Sequence, residues 1–103
     1  MGFFSNLFKK TDTSKLQEAL DAGAFLVDVR TAAEFAEGSV AGAVNIPLGN
    51  ISQQLGKFKN KSAVVVFCRS GSRSSLAKSV LEKNGIEHVI NGRTWQTVQQ
   101  LIK

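Results

Sequence analysis

Val64-Val65-Val66-Phe67-Cys68-Arg69-Ser70-Gly71-Ser72-Arg73-Ser74 decides the fold. It opens as a short apolar β-branched run, the composition of a strand buried in a parallel sheet. It then breaks into small and cationic residues. Ser75-Leu76-Ala77-Lys78-Ser79-Val80-Leu81 follows and reads as a helix. The one cysteine of the chain therefore sits where a strand ends and a helix is about to start. Open α/β sheets carry their chemistry at the carboxyl ends of strands. A helix N-terminus adds unpaired N–H groups and about half a positive charge. Both favour the thiolate, which is the nucleophilic form of cysteine.

Upstream, Ser14-Lys15-Leu16-Gln17 fits a capping box. It predicts a helix with Leu16, Ala19 and Leu20 inward that ends at Gly23. Ala24 to Val29 reads as a strand, with Asp28 and Arg30 on opposite sides of Val29. Thr31-Ala32-Ala33-Glu34 is a second capping box and opens a short helix that stops at Gly38. A strand is expected over Ala43 to Ile46, and Ile46-Pro47 forces an extended exit. Asn50 and Gln53 are expected to cap a third helix carrying Ile51, Leu55 and Phe58. Lys57 to Lys61 reads as a solvated basic turn.

Downstream, the helix after the cysteine loop runs to about Asn84, with Gly85 as a left-handed stop. Ile86 to Ile90 is the expected last strand, and Asn91-Gly92-Arg93 the turn after it. Thr94 caps a final helix with Trp95, Val98, Leu101 and Ile102 on one side. Four strands alternating with helices make an α/β domain with a mainly parallel sheet.

The 103 residues fit one domain with a single core. We expect an N-terminal amphipathic arm over 1–13 and the domain over 14–103. In the arm, Phe3, Phe4, Leu7 and Phe8 share a helical face. The run is too short to span a bilayer and lacks the layout of a signal peptide. Packing on the domain is favoured over membrane contact, and a cytoplasmic location is expected. One cysteine excludes an intramolecular disulfide, and one histidine beside it makes a closed zinc site improbable. The net charge of +5 comes from scattered residues, with Arg69 and Arg73 beside the cysteine. That distribution points to small anions rather than nucleic acid.

The cysteine loop resembles the active-site loop of the rhodanese family of single-domain sulfurtransferases. The family pattern Cys-x-x-Gly-x-Arg is met by Cys68, Gly71 and Arg73. Leu26-Val27-Asp28-Val29-Arg30, Glu34-Phe35 and Gly38-Ser39-Val40-Ala41-Gly42-Ala43-Val44-Asn45-Ile46-Pro47 resemble its upstream hallmarks. Ser39 stands where the family often has His, and Ala41 where it often has Pro. The resemblance implies a rhodanese-like, mainly parallel four- or five-stranded sheet with helices on both faces. The fifth strand would fall at Phe8 to Thr13, which shows little strand character.

A free cysteine is often a small buried hydrophobe. Such a residue would need no loop like the one that follows here. Ser70, Gly71 and Ser72 let backbone N–H groups converge into a nest that holds an anion. Arg69 and Arg73 flank a helix N-terminus, where cations are disfavoured, so a bound anion is expected to offset them. Asp28 and Arg30 lie on the same rim. Family resemblance makes them supports of the loop; the plainer alternative is a salt bridge such as Arg30 with Glu34. His88 is expected at the edge of the core rather than as a general base.

The expected activity is sulfur transfer through a Cys68 persulfide, from a small anionic donor such as thiosulfate to cyanide or a thiol. Arg69, Ser70, Gly71, Ser72 and Arg73 bind the substrate in this reading. No metal or organic cofactor is implied, and a protein sulfur-relay partner is one acceptor to consider. Alternatives are a non-enzymatic persulfide carrier, a phosphatase or arsenate reductase on the same fold, or an idle interaction domain. The six-residue loop from Cys68 to Arg73 resembles sulfurtransferases, since the related phosphatases and arsenate reductases carry one more residue.

Overall fold

A computed structural model describes residues 13–102. Helix α1 (13–21) is followed by β1 (Phe25–Asp28), α2 (Ala32–Glu37) and β2 (Val44–Asn45). Two 3-10 segments, Leu48–Gln53 and Leu55–Phe58, lead to β3 (Val64–Cys68). Helix α3 (Ser72–Lys83), β4 (Val89–Thr94) and α4 (Trp95–Leu101) complete the order. The described strands form one parallel sheet in the order β2-β1-β3-β4. This is the expected α/β fold. The arm and the segment expected to supply a fifth strand lie outside the described residues, Thr13 excepted, and Thr13 is helical.

The side chains of β3 divide between the two faces of the sheet, as the period of two requires. Val64, Val66 and Cys68 pack with Ala77 and Leu81 of α3, and with Ile51 and Phe58 of the 3-10 segments. Val65 and Phe67 pack with Leu16 and Ala19 of α1, and with Val98 of α4. All five residues of β3 are fully buried. Helical cover on both faces therefore makes β3 the axis of the core. Because the strands are parallel, their carboxyl ends share one rim: Asp28, Asn45, Cys68 and Thr94.

Several local expectations hold. Thr31 and Glu34 form the capping box of α2, which ends at Gly38. Thr94 caps α4 by accepting from the Thr97 N–H at 3.1 Å. Gly23 and Gly85 take left-handed φ values of 82° and 84° at helix ends.

Four expectations are corrected. Ser14 is not an N-cap, because the helix already includes residue 13. The third helix is two 3-10 segments, and neither Asn50 nor Gln53 makes a capping bond. Gly49 and Gly56 fall inside that run, and each weakens an α-helix by about 1 kcal/mol relative to alanine. The last strand covers Val89–Thr94, so Asn91-Gly92-Arg93 is strand rather than turn. Gly92 is the extra residue of a bulge, since Val66 faces Asn91 and Phe67 faces Arg93. A Cβ on Gly92 would lie 2.7 Å from Val98 Cγ2 and 3.0 Å from Val65 Cγ1, so close approach explains the glycine. Finally, His88 precedes β4 at the amino end of the sheet, with a φ of 60° and a side chain 71% exposed. It is not at the edge of the core.

Candidate active site

Cys68 is the last residue of β3, and the chain turns over its sulfur. The Gly71 N–H donates to Sγ at 3.0 Å. That bond needs the chain to reverse within three residues, and Gly71 allows it with a left-handed φ of 103°. A Cβ there would also meet the Arg93 side chain at 3.4 Å. Gly71 stands at the N-cap of α3, whose cap makes no side-chain bond. The first N–H groups of the helix therefore remain available to an anion.

Ser74, fully buried in the first turn of α3, places its Oγ 3.4 Å from Sγ. Burial pushes the Cys68 thiol up. The Ser74 hydroxyl and the backbone N–H groups of Ser74, Gly71 and Ser70 together outweigh it, and the thiol lies below its ordinary value. Arg73 also feels the sulfur's charge, which adds to the pull of Glu34 on its guanidinium. Ser70 and Ser72 lie outside, their hydroxyls 3.3 Å apart.

The two loop arginines differ. Arg73 donates to both carboxylate oxygens of Glu34, at 2.7 Å and 3.0 Å. Glu34 thus joins α2 to the active loop while its Oε1 also accepts from the Thr31 N–H at 3.0 Å. The guanidinium, and next the Thr31 N–H, hold this carboxyl down at about 2. The anion that offsets Arg73 is a side chain of the chain itself. Arg69 is exposed and has no hydrogen-bonding or ionic partner among the described residues. It lines a cleft of about 280 Å³ with Glu34, Glu37, Gly38 and Trp95.

Asp28 and Arg30 do meet, although they flank Val29. The strand ends at Asp28, so Arg30 is free to fold back and donates to Asp28 Oδ2 at 2.7 Å. Arg30 does not pair with Glu34, as the plainer sequence alternative had it. Buried Asp28 also accepts from the Arg30 N–H at 3.0 Å and the Ser39 hydroxyl at 2.7 Å. Ser39, at the family's histidine position, thus has a defined partner. Arg30 lies over the Trp95 ring at 5.4 Å and donates to the Gly38 carbonyl at 2.7 Å. The Asn45 amide ties the Asp28 and Arg30 carbonyls, both at 3.0 Å. The rim is therefore braced from β1, β2 and α2.

Sequence reasoning brought Cys68, the loop and the Asp28–Arg30 rim to one place. It missed Ser74, Glu34, Asn91 and Trp95. Ser74 was legible in principle, because one helical turn returns toward the loop. Asn91 signalled only a local turn, through the Arg93 N–H, because its other partners lie in α3 and the loop.

A rhodanese-like domain profile matches residues 12–92. A sulfurtransferase of Allochromatium vinosum is 38% identical over 68 residues, covering 66% of this chain and 64% of that protein. Thiosulfate sulfurtransferase PspE of Escherichia coli is 33% identical over 67 residues, covering 63% and 64%. The chain matches 36%, 64% and 52% of the length of three curated relatives. Among solved structures, a rhodanese-like domain protein of Staphylococcus aureus superposes with a TM-score of 0.70 at 30% identity, covering 84% of this chain and 86% of that one. A rhodanese with anions from E. coli gives 0.67 at 28% identity, covering 73% and 91%. The parallel sheet, the cysteine at a strand end and the loop closed over its sulfur agree with the profile: this chain belongs to the rhodanese-like domain family.

Proposed function

We propose that the chain is a sulfurtransferase that moves sulfane sulfur through a persulfide on Cys68. One observation carries this reading. The sulfur accepts from the Gly71 N–H at 3.0 Å and lies 3.4 Å from the Ser74 hydroxyl oxygen, and its thiol is shifted toward ionisation. In the first half-reaction the Cys68 thiolate attacks the outer sulfur of an anionic donor such as thiosulfate. A new S–S bond forms, the donor's S–S bond breaks, and sulfite leaves with the electron pair. In the second, cyanide or a thiolate attacks the outer sulfur, and the Cys68 thiolate is the leaving group. The two steps are covalent catalysis with ping-pong kinetics.

Loop N–H groups of Ser70, Gly71 and Ser72 stabilise the developing charge on sulfur. Arg69, the loop cation without a partner among the described residues, recruits the donor. Arg73 contributes its charge from the position that Glu34 holds. Asp28 and Arg30 keep the rim in place. A second reading, a sulfur carrier serving a protein partner, has support from a Bacillus subtilis candidate sulfur carrier 32% identical over 66 residues.

Three measurements separate these readings. Intact mass after thiosulfate treatment should rise by one sulfur and return on reduction. Cys68→Ser should abolish both the mass gain and transfer to cyanide while keeping the fold. Transfer that survives in the serine variant would end the persulfide reading. One sulfur loaded without repeated turnover on any thiol or cyanide would favour the carrier.

A further inference from the structure

Asn91 lies in β4, outside the cysteine loop, yet its side chain reaches into it. Its Oδ1 accepts from the Arg93 N–H at 2.8 Å and from the Ser74 hydroxyl at 2.6 Å. Its Nδ2 donates to the Gly71 carbonyl at 3.3 Å. The orientation of the amide follows from these contacts. Flipped, its NH2 would face the Arg93 N–H, and its oxygen the Gly71 carbonyl. The Ser74 hydroxyl has one proton to give and three acceptors in reach: Asn91 Oδ1 at 2.6 Å, the Gly71 carbonyl at 3.1 Å and Cys68 Sγ at 3.4 Å, of which Asn91 is the shortest.

We propose that Asn91 is a positioning residue for Cys68: it holds the Ser74 hydroxyl beside Sγ and competes with the sulfur for that hydroxyl's proton. This rests on Cys68 reacting as a thiolate. In the thiol, S–H donates to Ser74 Oγ, and the Ser74 hydroxyl donates to Asn91 Oδ1. Ionisation releases the thiol proton to solvent and leaves Sγ an acceptor only. The Ser74 hydroxyl then swings to the sulfur, and its proton stays on its own oxygen throughout. Asn91 Oδ1 keeps the Arg93 N–H. When the sulfur's charge passes to the outer atom of a persulfide, the hydroxyl returns to Asn91. Ionising Cys68 thus exchanges the 2.6 Å bond to Asn91 for one to the sulfur 3.4 Å away, and Asn91 sets the balance.

The charged groups around this cluster are Arg69 in the loop, Arg73 on α3 with Glu34 of α2, the Asp28–Arg30 pair at the end of β1, Arg93 on β4 against Gly71, and Lys15 of α1 and Lys78 of α3, which line a cavity with Asn91. Asn91 is not ionised, so its replacement by alanine changes none of these charges. Its effect is therefore separable from theirs.

Ultraviolet titration of the thiolate in the full chain tests the proposal. The chain has one cysteine and no tyrosine, so the signal belongs to Cys68 and needs no sulfur donor. Asn91→Ala should raise the acid dissociation constant of Cys68 about three- to tenfold, the range of one neutral hydrogen bond. The same change made in Ser74→Ala should do nothing. Asn91→Asp keeps the shape and should lower the constant; it is the variant to read if alanine costs the fold. An unchanged constant in Asn91→Ala, an equal shift with and without Ser74, or a raised constant in Asn91→Asp would each overturn the assignment. Absent sulfur transfer in the unaltered chain would leave this titration standing, so the two readings fail separately.

Discussion

Arg69 and Arg73 stand on the same loop and have different uses. The bidentate contact with Glu34 occupies Arg73, while Arg69 faces solvent. In Arg69→Ala, KM for an anionic donor should rise about two- to fivefold, the scale of an exposed ionic contact worth up to ~1 kcal/mol. The difference from the unaltered chain should vanish at high salt, where such attraction is screened. Initial rates across ionic strength measure this, and an unchanged KM at low salt would remove Arg69 from donor binding. Glu34 makes a second prediction. Its carboxyl lies at about 2 in the fold, against about 4.3 in an unfolded chain. The folded value is the lower one, so the pair stabilises fully above the unfolded value. That stability is lost as pH falls toward about 2. Thermal unfolding should therefore show Glu34→Gln less stable near neutrality, with the gap closing below about pH 4. The sequence revealed Glu34 as a helix cap, a family hallmark and an alternative partner of Arg30, but not as the partner of Arg73, which is distant in the chain.

At the scale of elements, strand β3 and helix α3 were legible because their signals are local. A β-branched run, a glycine-containing loop and a second glycine stop suffice to place them. β4 was misread because Asn-Gly usually marks a turn. Here the asparagine is used by the cysteine loop and the glycine by a bulge, and both reasons are tertiary. Gly92→Ala tests that account. Its added methyl would press on Val98 and Val65, both fully buried. Overpacking of this kind costs roughly 1–3 kcal/mol. Denaturant unfolding should show such a loss; stability unchanged within error would mean that the bulge can open. The 3-10 segments escaped the reading for the opposite reason. Their apolar spacing is helical, and Ile51 and Phe58 are buried as expected, but two glycines stop an α-helix from propagating.

At the scale of the whole molecule, the sheet is loaded on both faces, and α3 separates core from surface. Leu81 is fully buried, whereas Leu76 on the same helix is 58% exposed. Leu81→Ala should cost about 2–5 kcal/mol, and Leu76→Ala no more than about 0.5 kcal/mol. Similar losses at both sites, measured by denaturant unfolding, would mean that α3 packs differently. No helix among the described residues is long and apolar enough to cross a membrane. The fold class was readable from the alternation of strands and helices; the bracing of the rim was not, since it joins side chains from separate crossovers. That same connectivity bears on how the protein folds. Phe25 pairs with Val64 across roughly forty residues, and loops of that kind must close before their contacts reward them. The donors over Cys68, the Glu34 bridge and the Asn91 contacts come from the cysteine loop, α2, α3 and β4. A nascent or half-folded chain can hold its helices and still lack this cup. The acidity of the cysteine is therefore a property of the finished topology, and its appearance during refolding reports that these separate elements have come together.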